Sequence, residues 1–177
     1  QKWRQEVRQK LQLGSDEILA VSLSRIEPIK GISELFDAFV SVAQFIPQAH
    51  LALVGYASPG DESAKKLERQ IINKHQHLPL EIKRRLHLMG FVENGIEILS
   101  AADFYVLPSY EECMSLAVLD AMCLGLAVIG TNSGGTPSVV QPEHTGILVP
   151  PRNTQSLADA MKKLFLDHAL RKTLGLN

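Results

Sequence analysis

Two cations follow the first apolar run of the sequence, at a position that suits an anionic ligand. Arg25 and Lys30 lie close together, and Gly31 follows them where a helical pattern begins. Because the free amides and the dipole of a helix N-terminus favour negative charge, two cations there could clamp a diphosphate. A solvated basic pair near a loop is the alternative interpretation. This segment has neither a Walker loop nor a Gly-x-Gly-x-x-Gly pattern.

Two acidic residues follow the fourth apolar run, where a bound sugar could meet them. Glu112 precedes an apolar helical pattern that begins near Ser115, and Asp120 lies a little over two helical turns farther on. The two carboxylates can therefore share one helix face and accept hydrogen bonds from hydroxyl groups. A favourable charge at a helix N-terminus is the alternative interpretation of Glu112. Asp120 needs a partner if it is buried.

Other polar residues give weaker indications. Gly134 and Gly135 allow close backbone approach to a ligand, and Pro137 could start a short helix after them. An ordinary turn from loop to helix is the alternative interpretation of this segment. Three histidines in charged surroundings are predicted to be surface residues rather than metal ligands, namely His75, His77 and His87.

The elements that must position these residues alternate between apolar strands and amphipathic helices. Apolar runs predict strands over 18–22, 50–55, 85–90, 104–108, 127–131 and 146–149. Helical spacing predicts helices over 32–43, 63–77, 96–102 and 116–124, with a closing helix after a Thr154 cap. Apolar strands separated by helices are typical of a parallel sheet. We therefore expect a doubly wound, mainly parallel six-stranded α/β sheet with helices on both faces, which binds ligands beyond the carboxyl ends of its strands.

Composition excludes several classes of protein. The chain has 177 residues, 18 Lys and Arg against 19 Asp and Glu, and 45% hydrophobic residues. These values are typical of one globular domain and argue against disorder and against a nucleic-acid partner. No apolar run is long enough to span a membrane. Cys113 and Cys123 lie in no metal-ligand spacing, so a reducing compartment fits better than a disulfide framework.

Segments that follow one another in a fixed order carry a family resemblance. They are 24–31 (SRIEPIKG), 53–55 (LVG), 89–92 (MGFV), 101–109 (AADFYVLPS), 112–122 (ECMSLAVLDAM), 134–137 (GGTP) and 146–150 (GILVP). Together they resemble the donor-binding domain of retaining glycosyltransferases of the GT-B fold, family 4, also called glycosyl transferases group 1. The similarity runs over nearly the whole chain, from about Leu13 onward. It implies a Rossmann-like half of a GT-B fold.

The resemblance implies a role for each matching side chain. Arg25 and Lys30, with Gly31 beside them, match the pair that holds the donor diphosphate. Glu112 matches the acid that contacts the donor sugar, and Asp120 matches the acid that contacts the nucleotide ribose. Glu112, Arg25 and Lys30 are therefore the residues that the resemblance implies as catalytic.

The other matches would surround the rest of a donor. The backbone at Ser115 and Leu116 matches the amides that meet the distal phosphate. The backbone of Phe91 and Val92, together with the loop after Gly55, matches the wall on the nucleobase side.

The sequence departs from the family pattern in three places. Asp120 is one methylene shorter than the usual Glu. Cys113, Met114 and Ser115 replace the usual Gly-Phe-Gly, which narrows the backbone approach to the sugar pocket. Ser138 replaces a glutamate after the paired glycines. These departures are compatible with phosphate binding and change the expected surroundings of the sugar.

The resemblance implies transfer of a hexose-type sugar from a nucleoside diphosphate sugar with retention at the anomeric carbon. The nucleotide-sugar is a substrate, and no cofactor or metal is expected, because cations and helix amides would stabilise the leaving diphosphate. A preceding N-terminal domain would bind the acceptor, which is a glycan, a lipid or a small molecule. Residues 1–177 are therefore expected to be the C-terminal domain of a longer parent in glycan, polysaccharide or glycolipid synthesis, and to be inactive alone.

Two alternatives stay open. The first is a sugar-nucleotide epimerase of GT-B architecture. Such an enzyme would isomerise the sugar, and it would not transfer the sugar to an acceptor with release of free nucleotide. The second is a non-catalytic nucleotide-binding or partner module, which the changes at Cys113 and Ser138 would suit. In each case the parent is expected in the cytoplasm, with peripheral contact at the membrane surface left open.

Overall fold

The computed structural model describes residues 2–177, and its centre is one six-stranded sheet. The strands are β1 Ile18–Leu23, β2 Ala49–Val54, β3 Leu86–Gly90, β4 Phe104–Leu107, β5 Ala127–Thr131 and β6 Gly146–Val149. All neighbouring strands are parallel, in the order β3-β2-β1-β4-β5-β6. The predicted six-stranded α/β sheet is confirmed, and each strand lies within one residue of its predicted bounds.

Helices cover both faces of the sheet. They are α1 Lys2–Lys10, α2 Ile32–Ala43, α3 Glu62–Gln76, α4 Leu80–Lys83, α5 Gly95–Ala101, α6 Leu116–Cys123, α7 Thr136–Val139, α8 Thr154–Leu166 and α9 His168–Leu176. Apolar side chains of α2, α3 and α8 pack on one face, and those of α1, α5 and α6 pack on the other. No helix within residues 2–177 is both long and apolar enough to cross a membrane.

Strand β4 illustrates why most positions in the strands are apolar. Phe104 and Val106 face one core, and Tyr105 and Leu107 face the other, because successive side chains of a strand point to opposite faces. All four side chains are buried. A strand covered on both faces has no solvent side that a polar residue could occupy.

Helix α1, which is not predicted from the sequence, is held by a partly buried acid, Asp103, directly before β4. Asp103 accepts hydrogen bonds from Arg4 Nη2 at 2.7 Å and from Arg8 Nη1 at 3.1 Å. It also accepts one from the backbone N–H of Leu19 at 2.7 Å. These partners lie 84 to 99 residues away in the sequence, so no local pattern indicates the contact.

The predicted Thr154 cap of the closing helix is wrong by one residue. Asn153 is the N-cap of α8, and its side-chain oxygen accepts a hydrogen bond from the Ser156 amide at 2.8 Å. Thr154 is already the first helical residue. An Asn side chain at the preceding position can reach the free amide of the third helical residue, and this takes the capping role from Thr154.

The strand order creates a crevice between β1 and β4. The chain winds outward from β1 to β3, returns to the centre, and then winds outward from β4 to β6. Ligands of such sheets bind at this reversal, beyond the carboxyl ends of the two central strands. The loops that leave these ends carry Lys30 and Glu112.

Candidate functional site

Lys30 and Glu112 meet at the carboxyl ends of β1 and β4. Lys30 Nζ lies 2.6 Å from Glu112 Oε2, and each side chain is only 15% exposed. The hydroxyl of the fully buried Ser109 lies 3.4 Å from the same carboxylate oxygen. The fold therefore brings together two predicted site residues that are 82 positions apart in the sequence.

Gly31 allows the two loops to pack backbone against backbone. It ends the 3₁₀ turn Pro28–Lys30 and caps α2 with a φ of 65°. A Cβ atom at this position would overlap the carbonyl oxygen of Pro108. The Tyr110 amide donates a hydrogen bond to the Ile29 carbonyl at 2.8 Å. Both the left-handed backbone and the lack of space require glycine here.

A third loop supports the backbone of Glu112. The Gly135 amide donates a hydrogen bond to the Glu112 carbonyl at 2.6 Å, and a Cβ at Gly134 or Gly135 would overlap the backbone of Glu112 or Cys113. Helix α7 begins directly after these glycines and contains Pro137, as predicted. The close backbone approach that the sequence indicated is therefore toward the Glu112 loop itself.

Arg25 lies in the loop after β1 but contacts a different set of residues. Its Nη1 is 3.0 Å from Glu27 Oε1 and 3.3 Å from Ser58 Oγ. The Arg25 side chain is 63% exposed, whereas that of Glu27 is 15% exposed. Ser58 belongs to the loop after β2, so Arg25 lies between the central crevice and the β2 side of the sheet.

Helix α6 begins where the sequence indicated. Ser115 is its N-cap, and its hydroxyl accepts a hydrogen bond from the Val118 amide at 3.4 Å. Leu116 is the first helical residue, and its side chain is 74% exposed. The first amides of α6 therefore lie in the chain segment directly after Glu112.

A buried tyrosine lies beneath both acids. Tyr105 is fully buried, and its hydroxyl donates a hydrogen bond to the Leu23 carbonyl at 3.0 Å. Burial raises the pKa of Tyr105 above its ordinary value of 10, and the charges of Glu112 and Asp120 raise it further. Both carboxylates therefore act on the same phenol. Tyr105 is not predictable as a site residue, because one aromatic residue within an apolar strand carries no functional signal.

The predicted nucleobase wall lies at the ends of β2 and β3. The Phe91 ring is 69% exposed and packs edge-to-face on Tyr56, with ring centroids 5.5 Å apart. Val92 is half-buried against the core that contains β4 residue Tyr105. The Gly55 amide donates a hydrogen bond to the Gly90 carbonyl at 2.8 Å, which joins the two strand ends.

The prediction that His87 is a surface residue is wrong. Its ring stacks on the buried His50 ring with centroids 5.4 Å apart, and His87 Nε2 lies 3.1 Å from His50 Nδ1. Burial, and then the neighbouring His50, lower the pKa of His87 from 6.5 to about 4. The two residues lie near the amino ends of β2 and β3, away from the crevice. Within residues 2–177 no group of three or more potential ligand side chains could hold a metal ion.

Comparison with known proteins shows that the chain matches a protein family. The model of the family described as Glycosyl transferases group 1 matches residues 4–177. N-acetyl-alpha-D-glucosaminyl L-malate synthase of Bacillus anthracis is 29% identical over 163 residues, which is 92% of this chain and 40% of that protein.

Two solved structures share the fold over nearly all of this chain. Anabaena Alr3699/HepE in complex with UDP-glucose has a TM-score of 0.84 at 26% identity, over 99% of this chain and 46% of that one. The C-terminal domain of a glycosyl transferase group 1 family protein (LpcC) of Francisella tularensis has a TM-score of 0.80 at 26% identity, over 98% and 88% of the two chains. The chain spans less than half the length of the first two of these proteins. By its sequence and its GT-B-like Rossmann fold, the chain belongs to the glycosyl transferases group 1 family.

Proposed function

We propose that the chain is the nucleotide-sugar-binding C-terminal domain of a retaining glycosyltransferase of family 4. The observation that carries this proposal is the contact between Lys30 and Glu112 in the crevice between β1 and β4. An ammonium group suits a diphosphate, and an adjacent carboxylate suits the hydroxyl groups of a sugar. The complex of the Anabaena protein with UDP-glucose supports a nucleoside diphosphate sugar as the ligand class.

In this proposal the polar groups divide between the parts of the donor. Lys30 and Arg25 bind the diphosphate, and the amides at Ser115 and Leu116 bind its distal phosphate. Glu112 accepts hydrogen bonds from the sugar. Because Ser109 and Lys30 both lie at Oε2 of Glu112, Oε1 is the oxygen that faces a ligand.

The nucleoside would lie on the β2 and β3 side of the crevice. Asp120 accepts hydrogen bonds from the ribose, and its half-buried position beside Tyr105 suits that role. The base packs on the wall made by Phe91, Val92 and the backbone after Gly55.

The chemical step would depend on stabilising the leaving diphosphate. As the bond between the anomeric carbon and the diphosphate oxygen breaks, negative charge develops on that oxygen. Lys30, Arg25 and the first amides of α6 are donors already fixed near this charge, and fixed donors need no reorganisation during the reaction. The proposed mechanism therefore requires no metal ion.

The proposed parent contains a second domain that binds the acceptor. The similarity to a protein described as a C-terminal domain supports this arrangement, since the chain covers 88% of it. Phe91, Met114 and Leu116 are each at least 60% exposed and follow β3 or β4 at the carboxyl edge of the sheet. Such apolar side chains suit contact with a second domain across the crevice.

A non-catalytic nucleotide-binding module is the second candidate. The observation that favours it is Met114, whose exposed side chain stands where the family pattern has an aromatic residue between two glycines. Release of nucleoside diphosphate by the parent in the presence of an acceptor would exclude this candidate. Isomerisation of the sugar would instead support an epimerase.

Titration of the 177-residue chain with UDP, GDP and ADP, followed by backbone amide chemical shifts, tests the proposed site. We expect at least one nucleotide to shift amides of residues 25–31 and 112–116. Lys30→Ala should weaken that binding at least tenfold, since hydrogen bonds to charged groups contribute about 1.5–3 kcal/mol. Lys74→Ala, which removes an exposed lysine paired with Asp37, is the control and should leave affinity unchanged. Failure of all three nucleotides to shift these amides would overturn the proposal.

A further inference from the structure

Arg25, Glu27 and Ser58 form a closed triangle of polar contacts. Arg25 Nη1 lies 3.0 Å from Glu27 Oε1 and 3.3 Å from Ser58 Oγ, and the Ser58 hydroxyl donates to the same Glu27 oxygen at 2.9 Å. The Glu27 side chain is mostly buried, whereas that of Arg25 is mostly exposed. The guanidinium end of the long, exposed Arg25 side chain is therefore bound to a mostly buried carboxylate.

The contacts leave part of the guanidinium group available to a ligand. Arginine has five N–H donors, and the contacts described within residues 2–177 use Nη1. The N–H groups of Nη2 and Nε can donate to phosphate oxygens without breaking the triangle. An arginine held in this way loses less side-chain freedom when it binds, so the cost of ordering is lower.

The triangle also joins two loops that are already packed together. The Ile26 amide donates to the Tyr56 carbonyl at 2.9 Å, and a Cβ at Gly55 would overlap the carbonyl oxygen of Ser24. The loop that carries Ser58 is itself anchored to α3, because the Ala57 amide donates to Glu68 Oε1 at 3.1 Å. Glu27 and Ser58 are therefore held by backbone contacts that do not involve Arg25.

We propose that Glu27 and Ser58 are positioning residues that hold Arg25 in place for the donor diphosphate. This inference rests on the proposed function, because it needs a diphosphate at the crevice. It adds that the loop after β2, on the nucleobase side, takes part in phosphate binding through Ser58. Neither residue needs to touch the donor for this role.

Two effects of Glu27 oppose each other, and substitutions separate them. Its hydrogen-bond acceptor orders Arg25, which favours binding, whereas its negative charge repels a diphosphate. Glu27→Gln keeps an acceptor oxygen and removes the charge, so we expect UDP, GDP or ADP affinity within twofold of the native chain or tighter. Glu27→Ala removes both, and Ser58→Ala removes the bridge. Each of these should weaken binding about threefold to tenfold, the range expected for ordering one flexible side chain.

A double-mutant cycle with Arg25→Ala tests whether Glu27 acts through Arg25. With Arg25 absent, Glu27→Ala should cause no further loss of affinity for the nucleotide that binds the native chain. Asp37→Asn removes the acid of the separate ion pair with Lys74 and is the control for a change in net charge. Thermal melting of each variant reports whether the fold is intact.

The outcomes distinguish this inference from the proposed function. If the native chain binds one of the three nucleotides and Glu27→Ala binds it equally well or more tightly, the positioning role is overturned and the nucleotide site stands. The same holds if Glu27→Ala still weakens binding in the Arg25→Ala background. If the native chain binds none of the three nucleotides, the proposed function and this inference both fail.

Discussion

At the scale of single residues, the buried histidine pair makes stability depend on pH. His87 has a folded-state pKa of about 4 against an ordinary value of 6.5, mainly because it is buried. Between these two values the unfolded chain binds a proton that the folded chain does not bind. The free energy of unfolding therefore falls as pH decreases from 6.5 toward 4, and it is unaffected by His87 above 6.5.

We expect the native chain to lose about 2 kcal/mol more stability than His87→Gln between pH 7 and pH 5. Urea denaturation at both pH values measures this difference. Gln is the suitable replacement because it is polar and does not titrate. The charges of His50, Glu17 and His75 act on His87, so the comparison measures the loss of His87 together with its effect on these neighbours. Equal pH dependence of the two chains would contradict the lowered pKa.

Residue types in sequence predicted where the candidate site lies, but not how it is supported. Lys30 and Glu112 are predictable because both lie in the segments that follow apolar strands, and ligands of parallel sheets bind beyond the carboxyl ends of the strands. Glu27, Ser58 and Tyr105 were missed. Glu27 lies two residues from Arg25, but Ser58 and Tyr105 have partners 31 to 82 residues away in the sequence, and those pairings become visible only when the sheet brings them together.

At the scale of elements, the junction between the 3₁₀ turn and α2 depends on Gly31. Ala at this position would adopt a strained left-handed conformation, and its Cβ would also overlap the Pro108 carbonyl. Gly90 is a matched control, since it has a φ of 63° against 65° for Gly31 and open space around it.

Gly90→Ala should cost about 1–2 kcal/mol of stability from the backbone conformation alone. Gly31→Ala should cost more, because the loop after β4 must also move. It should weaken nucleotide binding as well, since Gly31 directly follows Lys30 and the displaced loop leads to the first amides of α6, which are the groups proposed to bind the diphosphate. Urea denaturation and nucleotide titration measure the two effects. Equal destabilisation by both substitutions would mean that the loops after β1 and β4 can move apart at Gly31 and Pro108 without loss of stability.

Helices and strands are predictable where their own residues carry the apolar pattern that stabilises them. The six strands are continuous apolar runs, the amphipathic helices α2, α3 and α8 carry apolar residues at a helical period, and the bounds of both agree closely with prediction. Helix α1 is polar along most of its length and depends on Asp103 near β4. Its formation is decided by tertiary contacts, so periodicity could not identify it.

At the scale of the whole molecule, replacement of Glu112 should affect nucleoside diphosphate binding and turnover differently. In the proposed role Glu112 contacts the sugar and not the nucleotide. Glu112→Ala should therefore lower turnover of the longer parent by at least a hundredfold, while nucleoside diphosphate affinity of the 177-residue chain changes less than fivefold. Product formation by the parent and nucleotide titration of the chain are the two measurements. Equal losses of turnover and of nucleotide affinity would contradict this role and would mean that Glu112 contacts the nucleotide.

The strand order also has a consequence for synthesis on the ribosome. Strand β1 pairs with β2 on one edge, but its other edge has no partner until β4, which ends at Leu107, has been made. Translation proceeds at about 5–20 residues per second, so synthesis of the chain from the end of β2 to the end of β4 takes several seconds. During this time the second edge of β1 has no partner strand. An unpaired central strand is a site for wrong pairing between nascent chains. The crevice forms at this same edge, so the proposed nucleotide ligand could bind only after that interval has ended.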